Sequence, residues 1–158
     1  MSVLMLMGSI SDEKIAKKAW DILNEFGVET KVKVASAHRS LDIVLEAVQD
    51  ENVDVVIAFA GKAAHLAGVV AGATVKPVIG VPILASSTSG FDALLSTVQM
   101  PKGVPVATVA IDGAENAAYL AIQMLALKDE TLHSKLIEFK QNMIKEVEAM
   151  DARLEWSK

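Results

Sequence analysis

Five short stretches, rich in β-branched residues, alternate with longer ones in which apolar residues recur every three or four positions. The short stretches are residues 3–7, 28–36, 54–60, 77–83 and 104–111 and predict strands. The third, 54–60, is apolar after its first residue, as is typical of a strand that is buried on both faces, and the helical stretches between the strands serve as crossovers. The alternation therefore predicts an α/β fold in which helices cover both faces of one parallel sheet.

We predict a flavodoxin-like three-layer arrangement with a five-stranded parallel sheet in the order 2-1-3-4-5. One helix is expected to begin at the candidate N-cap Ser40. The other helices are expected over residues 15–26, 61–73, 91–100, 114–127 and 129–158. The last of these extends the chain, and its apolar stripe indicates packing on the parent domain or a subunit contact. The length of 158 residues predicts a single domain, 1–158.

Composition excludes several classes of function. The net charge of −5 argues against nucleic-acid binding, which depends on basic side chains at phosphates. No apolar run approaches the roughly 20 residues of a membrane helix, and the apolar start lacks the basic flank of a secretory signal. The absence of cysteine excludes disulfides and thiolate metal sites and fits a reducing compartment. We expect a cytoplasmic protein that contacts neither nucleic acid nor membrane.

The loops that follow the first three strands carry the chemistry, because ligands of such sheets bind beyond the carboxyl ends of the strands. In the first loop, Gly8 allows a ligand to approach the backbone closely, and Ser9 and Ser11 offer hydroxyl groups. Together with the amides at the start of the helix, these groups favour a phosphate. Asp12 is suited to sugar hydroxyls, although Ser11 or Asp12 alternatively caps the helix.

The second loop contains Ser36, His38 and Arg39, and the third contains Lys62 and His65 among very small residues. Arginine binds phosphate in a bidentate manner, and histidine exchanges protons near neutral pH. The alternatives are a hydrogen-bonded loop histidine beside a solvated arginine, and a core histidine at position 65. No nucleotide-binding glycine motif, acidic pair or metal-ligand cluster appears. With these classes of site set aside, the loops point to cofactor-free acid–base chemistry on a phosphorylated sugar.

Five motifs, in unbroken order between about residues 3 and 127, resemble the phosphoribosylaminoimidazole carboxylase family. They are Met-Gly-Ser-Ile-Ser-Asp at 7–12, Ser-Ala-His-Arg at 36–39, Gly-Lys-Ala-Ala-His-Leu at 61–66, Pro-Val-Ile-Gly-Val-Pro at 77–82 and Gln-Met-Pro-Lys-Gly-Val-Pro-Val at 99–106. The similarity is to the class I members, which move a carboxylate from the exocyclic nitrogen of N5-carboxyaminoimidazole ribonucleotide to ring carbon C4 in purine biosynthesis.

The resemblance implies a homo-octamer with active sites shared between subunits and a closed apolar pocket. It implies that Arg39 and the first loop bind the ribonucleotide phosphate, Asp12 binds the ribose, and His38 is the catalytic acid–base. It further implies that Ser36, His65 and the amides around Ala63 and Ala64 line the carboxylate site. No metal, biotin or nucleoside triphosphate is implied.

Two positions depart from the class I pattern, because Lys62 replaces a glycine and Ala67 replaces a proline. Class II members, which fix carbon dioxide directly onto aminoimidazole ribonucleotide, carry a basic residue near position 62 but lack the Ala-Ala-His-Leu run that this chain keeps. We therefore expect the mutase, with the direct carboxylase as one alternative. A non-catalytic flavodoxin-like binding module is the other, based on the serine-rich loop at 86–89.

Overall fold

The computed structural model describes residues 1–84 and 88–156. In this part of the chain the strands are β1 (Ser2–Met7), β2 (Glu29–Val34), β3 (Val55–Ala60), β4 (Val78–Pro82) and β5 (Ala107–Thr108). The α-helices are α1 (Glu13–Phe26), α2 (Leu41–Val48), α3 (Leu66–Ala73), α4 (Phe91–Val98), α5 (Ala114–Ala126) and α6 (Glu130–Ala152), and a short 3-10 helix, Ile10–Asp12, precedes α1.

The strands form one parallel sheet in the order β2-β1-β3-β4-β5, which confirms the predicted order. Met7, the last residue of β1, is level with Val34 in β2 and Phe59 in β3. The carboxyl ends of three neighbouring strands therefore lie together at one edge of the sheet.

Side chains of β1 alternate between two separate cores. Val3, Met5 and Met7 pack with α1 and α5, while Leu4 and Leu6 pack with α2 and α3. Every residue of β1 and β3 is buried, as expected of strands that helices cover on both faces. The β-branched and apolar runs thus fix both the sheet and its two helical layers.

The largest differences from the predicted bounds are in α3, in β5 and in α6, which ends at Ala152 and not at residue 158. Helix α3 begins at Leu66 rather than at residue 61, and residues 61–65 form a loop. Strand β5 comprises Ala107–Thr108 rather than 104–111, because Pro105 has no N–H to donate to the ladder. The first difference matters for function, since it places Lys62 and His65 in a loop at the carboxyl edge.

Helix α6 is packed on the body of the protein at its beginning and exposed at its end. Asp129 caps it by accepting hydrogen bonds from the amides of Thr131 and Leu132, and Phe139 stacks on Tyr119 of α5 with ring centroids 4.5 Å apart. Its last turns expose the apolar side chains Ile144, Val147 and Met150. The predicted stripe is therefore only partly used within the chain.

Among the described residues, no helix is both long enough and apolar enough to cross a membrane.

We predict that Gly80→Ala destabilises the protein, because β4 approaches α4 too closely for a side chain at this position. A Cβ there would collide with the methyl group of Thr97 and lie 2.9 Å from Cγ1 of Val106. Thr97 has little freedom to move, since its hydroxyl donates to the Ala93 carbonyl at 2.8 Å. Urea denaturation should show a loss of about 1–3 kcal/mol in the free energy of unfolding, the usual effect of overpacking.

Gly72→Ala is the matched control. A Cβ at Gly72 meets no heavy atom within 4 Å, and the residue lies in helix α3. Alanine should therefore leave the free energy of unfolding unchanged or raise it by up to about 1 kcal/mol. Equal stability of Gly80→Ala and the wild type would contradict the close approach of β4 and α4.

Candidate active site

A cavity of about 450 Å³ opens at the carboxyl edge of the sheet, between the loops that follow β1, β2 and β3. This size is typical of a small-molecule site. Six of the seven predicted site residues line it: Ser9, Ser11, Asp12, Ser36, His38 and Arg39. The seventh, His65, is not part of the lining but contacts His38 directly. The structure therefore brings all seven positions into one region.

The first loop is held against β3 and folded around a buried carboxylate. The amide of Gly8 donates to the carbonyl of Phe59 at 3.0 Å. Ser9 caps the 3-10 helix, and its own amide donates to Oδ2 of Asp12 at 3.2 Å. Ser11 Oγ donates to Oδ1 of Asp12, also at 3.2 Å. The cap is thus Ser9, with Asp12 as its reciprocal partner in a capping box.

Burial dominates the electrostatics of Asp12, which is only 3% exposed. Desolvation raises the pKa of Asp12 above the ordinary value of 3.8, and the hydrogen bonds from Ser11 and Ser9 act in the opposite direction. A carboxylate that is stripped of water in this way gains from any additional hydrogen-bond donor that a ligand supplies.

The second loop is a tight turn stabilised by Ser40. The hydroxyl of Ser40 accepts from the amide of Ser36 at 2.9 Å and donates to its carbonyl at 3.3 Å. Ser40 occupies the N-cap position of α2, as predicted, but its side chain makes no capping bond to the helix. Because its hydroxyl is used within the loop, Ser40 stabilises the turn that presents His38 and Arg39.

Arg39 joins the first two loops. Its Nη2 donates to the carbonyl of Gly8 at 3.2 Å, and its Nε donates to Ser36 Oγ at 3.4 Å. Both acceptors are neutral, so these two hydrogen bonds orient the guanidinium without pairing its charge. The pairing of β1 with β2 accounts for the proximity of the two loops, but the hydrogen bond from Arg39 to Gly8 was not predicted from the sequence.

His38 and His65 form a histidine pair. Nε2 of His38 lies 2.9 Å from Nδ1 of His65, and the ring planes meet at 66°. One nitrogen donates and the other accepts, because a hydrogen bond between two imidazoles requires a neutral ring on the accepting side. The alternative that His65 is a core histidine is wrong, since the residue is exposed.

The third loop adds a cation, Lys62, that was not among the predicted site residues. Gly61, Lys62 and Ala63 line the cavity, and Lys62 is exposed. The amide of His65 donates to the carbonyl of Ala63 at 2.9 Å, which closes a tight turn. The departure of Lys62 from the family pattern was the sequence signal that marked this position.

The cavity is open to solvent in the single chain. Ser11, His38, Arg39, Lys62 and His65 are all exposed. This differs from the closed apolar pocket that the resemblance implied, because the cavity is open and its lining mixes polar side chains with glycine, alanine and leucine residues. The serine-rich loop at 86–89, on which the binding-module alternative rests, lies partly outside the described residues, which omit 85–87.

The model of a protein family described as AIR carboxylase matches residues 2–146. The chain belongs to the AIR carboxylase family. Among its relatives in that family, a protein of Methanocaldococcus jannaschii named N5-carboxyaminoimidazole ribonucleotide mutase is 58% identical over 152 residues, which cover 96% of each chain. A protein of Pyrococcus horikoshii with the same name is 47% identical over 154 residues, covering 96% of this chain and 87% of the relative.

Solved structures agree with this membership of the AIR carboxylase family. The crystal structure of Treponema denticola PurE superimposes with a TM-score of 0.89 at 28% sequence identity, covering 97% of this chain and 98% of that one. The flavodoxin-like α/β arrangement is therefore shared along almost the entire length.

We predict that Asp12→Asn becomes more stable relative to the wild type as the pH rises. The raised pKa of Asp12 means that the wild type loses stability between pH 3.8 and the higher pKa of the folded state, because ionisation is less favourable there than in the unfolded chain. The variant has no such titration. Thermal unfolding midpoints between pH 4 and 7 should therefore diverge in favour of Asp12→Asn.

Asp50→Asn is the control for this measurement. Its hydrogen bond from Lys31 holds the pKa of Asp50 at about 2, so this carboxyl group is ionised in both the folded and the unfolded state above about pH 5. The difference between Asp50→Asn and the wild type should stay constant from pH 5 to 7. Parallel pH curves for Asp12→Asn and the wild type would contradict the desolvation of Asp12.

Proposed function

We propose that this chain is an N5-carboxyaminoimidazole ribonucleotide mutase. The observation that carries the proposal is a single cavity in which His38 lies beside Arg39 and the loop from Gly8 to Asp12. A proton-exchanging group is thus next to groups that suit a phosphate and a sugar. Near full-length similarity to relatives of that name supports the same reaction.

In this proposal the ribonucleotide lies across the first two loops. Arg39, Ser9 and Ser11 bind the phosphate, for which guanidinium and hydroxyl donors are suited. Asp12 binds the ribose hydroxyls. A carboxylate offers about four lone-pair positions, and the two bonds from Ser9 and Ser11 leave positions for a diol.

The proposed reaction conserves protons within the site. His38 donates a proton to the exocyclic nitrogen as the bond between that nitrogen and the carboxyl carbon breaks, which yields carbon dioxide and aminoimidazole ribonucleotide. Ring carbon C4 then attacks carbon dioxide, and His38 takes the proton that C4 loses. The histidine returns to its initial state, so the cycle requires neither an oxidant nor an external base.

The remaining predicted residues serve the carboxylate end of the substrate. Nδ1 of His65 accepts from Nε2 of His38 while His38 is protonated, which orients the ring at 2.9 Å. Ser36 and the amides around Ala63 and Ala64 surround the migrating carboxylate, because the small side chains leave the backbone accessible. The scheme uses no metal, biotin or nucleoside triphosphate.

We further propose that the enzyme is a cytoplasmic homo-octamer whose subunits share active sites. The cavity is open in one chain, whereas retention of carbon dioxide requires a covered site. Large apolar side chains are exposed on three helices: Leu41, Ile43 and Leu45 on α2, Phe91, Leu95 and Val98 on α4, and Ile144, Val147 and Met150 on α6. Contact with neighbouring copies would bury these side chains and cover the cavity.

Purified protein should convert N5-carboxyaminoimidazole ribonucleotide to 4-carboxy-5-aminoimidazole ribonucleotide without added bicarbonate. Spectrophotometric assays of this substrate and of aminoimidazole ribonucleotide with dissolved carbon dioxide, run side by side, separate the two carboxylating classes. Turnover of aminoimidazole ribonucleotide that rises with carbon dioxide, with no use of the N5-carboxylated compound, would assign the direct carboxylase instead. Activity on neither, with a bound flavin, would assign a binding module.

His38→Asn should lower turnover by at least about 10²-fold, the usual contribution of a general acid–base, while substrate affinity stays near that of the wild type. Asparagine keeps a polar side chain of similar size but cannot cycle a proton. His133→Asn is the control, because this histidine lies on α6, away from the cavity. Wild-type turnover in His38→Asn would remove His38 from the mechanism.

Sedimentation velocity should show the mass of eight chains for the wild type. Leu95→Glu places a charge on the exposed apolar face of α4 and should shift the distribution toward smaller species, with a parallel loss of activity. Gln99→Glu, at the end of the same helix and already polar, is the control. A monomeric and fully active wild type would contradict both the octamer and the shared site.

A further inference from the structure

The cavity contains two cationic side chains on opposite sides of the first loop. Arg39 follows β2 and Lys62 follows β3, and β1 lies between those two strands in the sheet. Because neighbouring strands are about 4.8 Å apart, the two loops leave the sheet roughly 10 Å from one another. The Arg39 guanidinium is held at the first loop by the Gly8 carbonyl, whereas Lys62 belongs to the third loop, so the two cations reach the cavity from different loops.

No carboxylate of the chain neutralises either cation within the described residues, where the ion pairs are Lys17–Asp21, Lys18–Glu115 and Lys31–Asp50. Arg39 donates only to the neutral acceptors Gly8 and Ser36. The carboxylate in the cavity lining, Asp12, accepts hydrogen bonds from Ser9 and Ser11 and forms an ion pair with neither cation. The cavity thus presents two cations that no ion pair of the described residues engages.

The substrate of the proposed function has two anionic ends, a phosphate on the ribose and a carboxylate on the base. Arg39 and the hydroxyls of the first loop are on one side of the cavity and are suited to the phosphate. Lys62 is on the other side, three residues before His65, which contacts His38. The base, where proton transfer occurs, must lie beside His38, and the contact of His38 with His65 brings the loop that holds Lys62 next to it.

On the basis of the proposed function, we propose that Lys62 binds the carboxylate of the base and so adds affinity for carboxylated ligands, a contact that the glycine of the class I pattern lacks. A lysine ammonium is a compact charge on a flexible stem, so it can follow a carboxylate that moves between two atoms of the substrate. The residue acts on binding, whereas the proton transfers belong to His38.

The test compares Lys62→Met, which keeps the stem and removes the charge, with Lys62→Arg, which keeps the charge. Both are made in the His38→Asn background, so that ligands are bound without being converted. Calorimetric titrations use 4-carboxy-5-aminoimidazole ribonucleotide and 5-aminoimidazole ribonucleotide as the probes. The two share the ribose phosphate and differ in the carboxylate.

Lys62→Met should weaken binding of the carboxylated ligand by about 10- to 100-fold, as expected for the loss of a charge-assisted contact, and change binding of the uncarboxylated ligand less than about threefold. Lys62→Arg should restore most of the affinity for the carboxylated ligand. Lys128→Met, at an exposed position between α5 and α6, is the control and should change neither affinity. Lys62→Gln replaces Lys62→Met if circular dichroism shows that the latter is unfolded.

Equal losses for both ligands would overturn the inference, because they would place Lys62 at the phosphate. Unchanged binding of both ligands would also overturn it and leave Lys62 as a solvated side chain. Either result leaves the proposed function intact as long as the wild type, with His38 present, converts N5-carboxyaminoimidazole ribonucleotide. Failure of that conversion overturns the proposed function itself, so the two outcomes are distinguishable.

Discussion

The level parallel pairing of β1 with both β2 and β3 is the constraint on which the site depends. Side chains alternate between two cores along β1, so a slip of one residue would move Met5 and Met7 into the core lined by α2 and α3. The amide of Ala35 donates to the carbonyl of Met7, and that of Gly8 to Phe59, so the ladders continue past the strand ends on both sides. The points at which three loops leave the sheet are thereby fixed.

The hydrogen bonds within those loops orient charges without neutralising them. Arg39 is held by a carbonyl and a hydroxyl, and His38 is held by another imidazole. Asp12 accepts from neutral donors in a buried position. The cost of ordering these side chains is met during folding rather than on ligand binding, which is the physical basis of preorganisation.

The strand order and the grouping of the three loops followed from sequence because apolar runs report burial directly, and parallel crossovers have one hand. The start of α3 did not follow, because the alanine-rich segment from Ala63 to Ala67 satisfies a helical pattern although the chain turns at Lys62 and Ala63 before the helix begins at Leu66. Nor did the role of Ser40, whose spacing from Ser36 fits both a cap and a loop bond. The His38–His65 contact spans 27 residues and depends on how two loops fold, which local periodicity does not encode.

The proposed chemistry accounts for the high content of aliphatic residues in the chain. The chain is 52% hydrophobic but only 4% aromatic, and exposed aliphatic side chains remain on α2, α4 and α6 after the two cores are filled. A reaction that releases carbon dioxide and recaptures it needs a site from which water and gas do not exchange. One chain leaves that site open, with His38 and Lys62 on the solvent side. In the proposed octamer, the same contacts that bury the aliphatic faces would cover the cavity, so assembly and catalysis would depend on one set of surfaces.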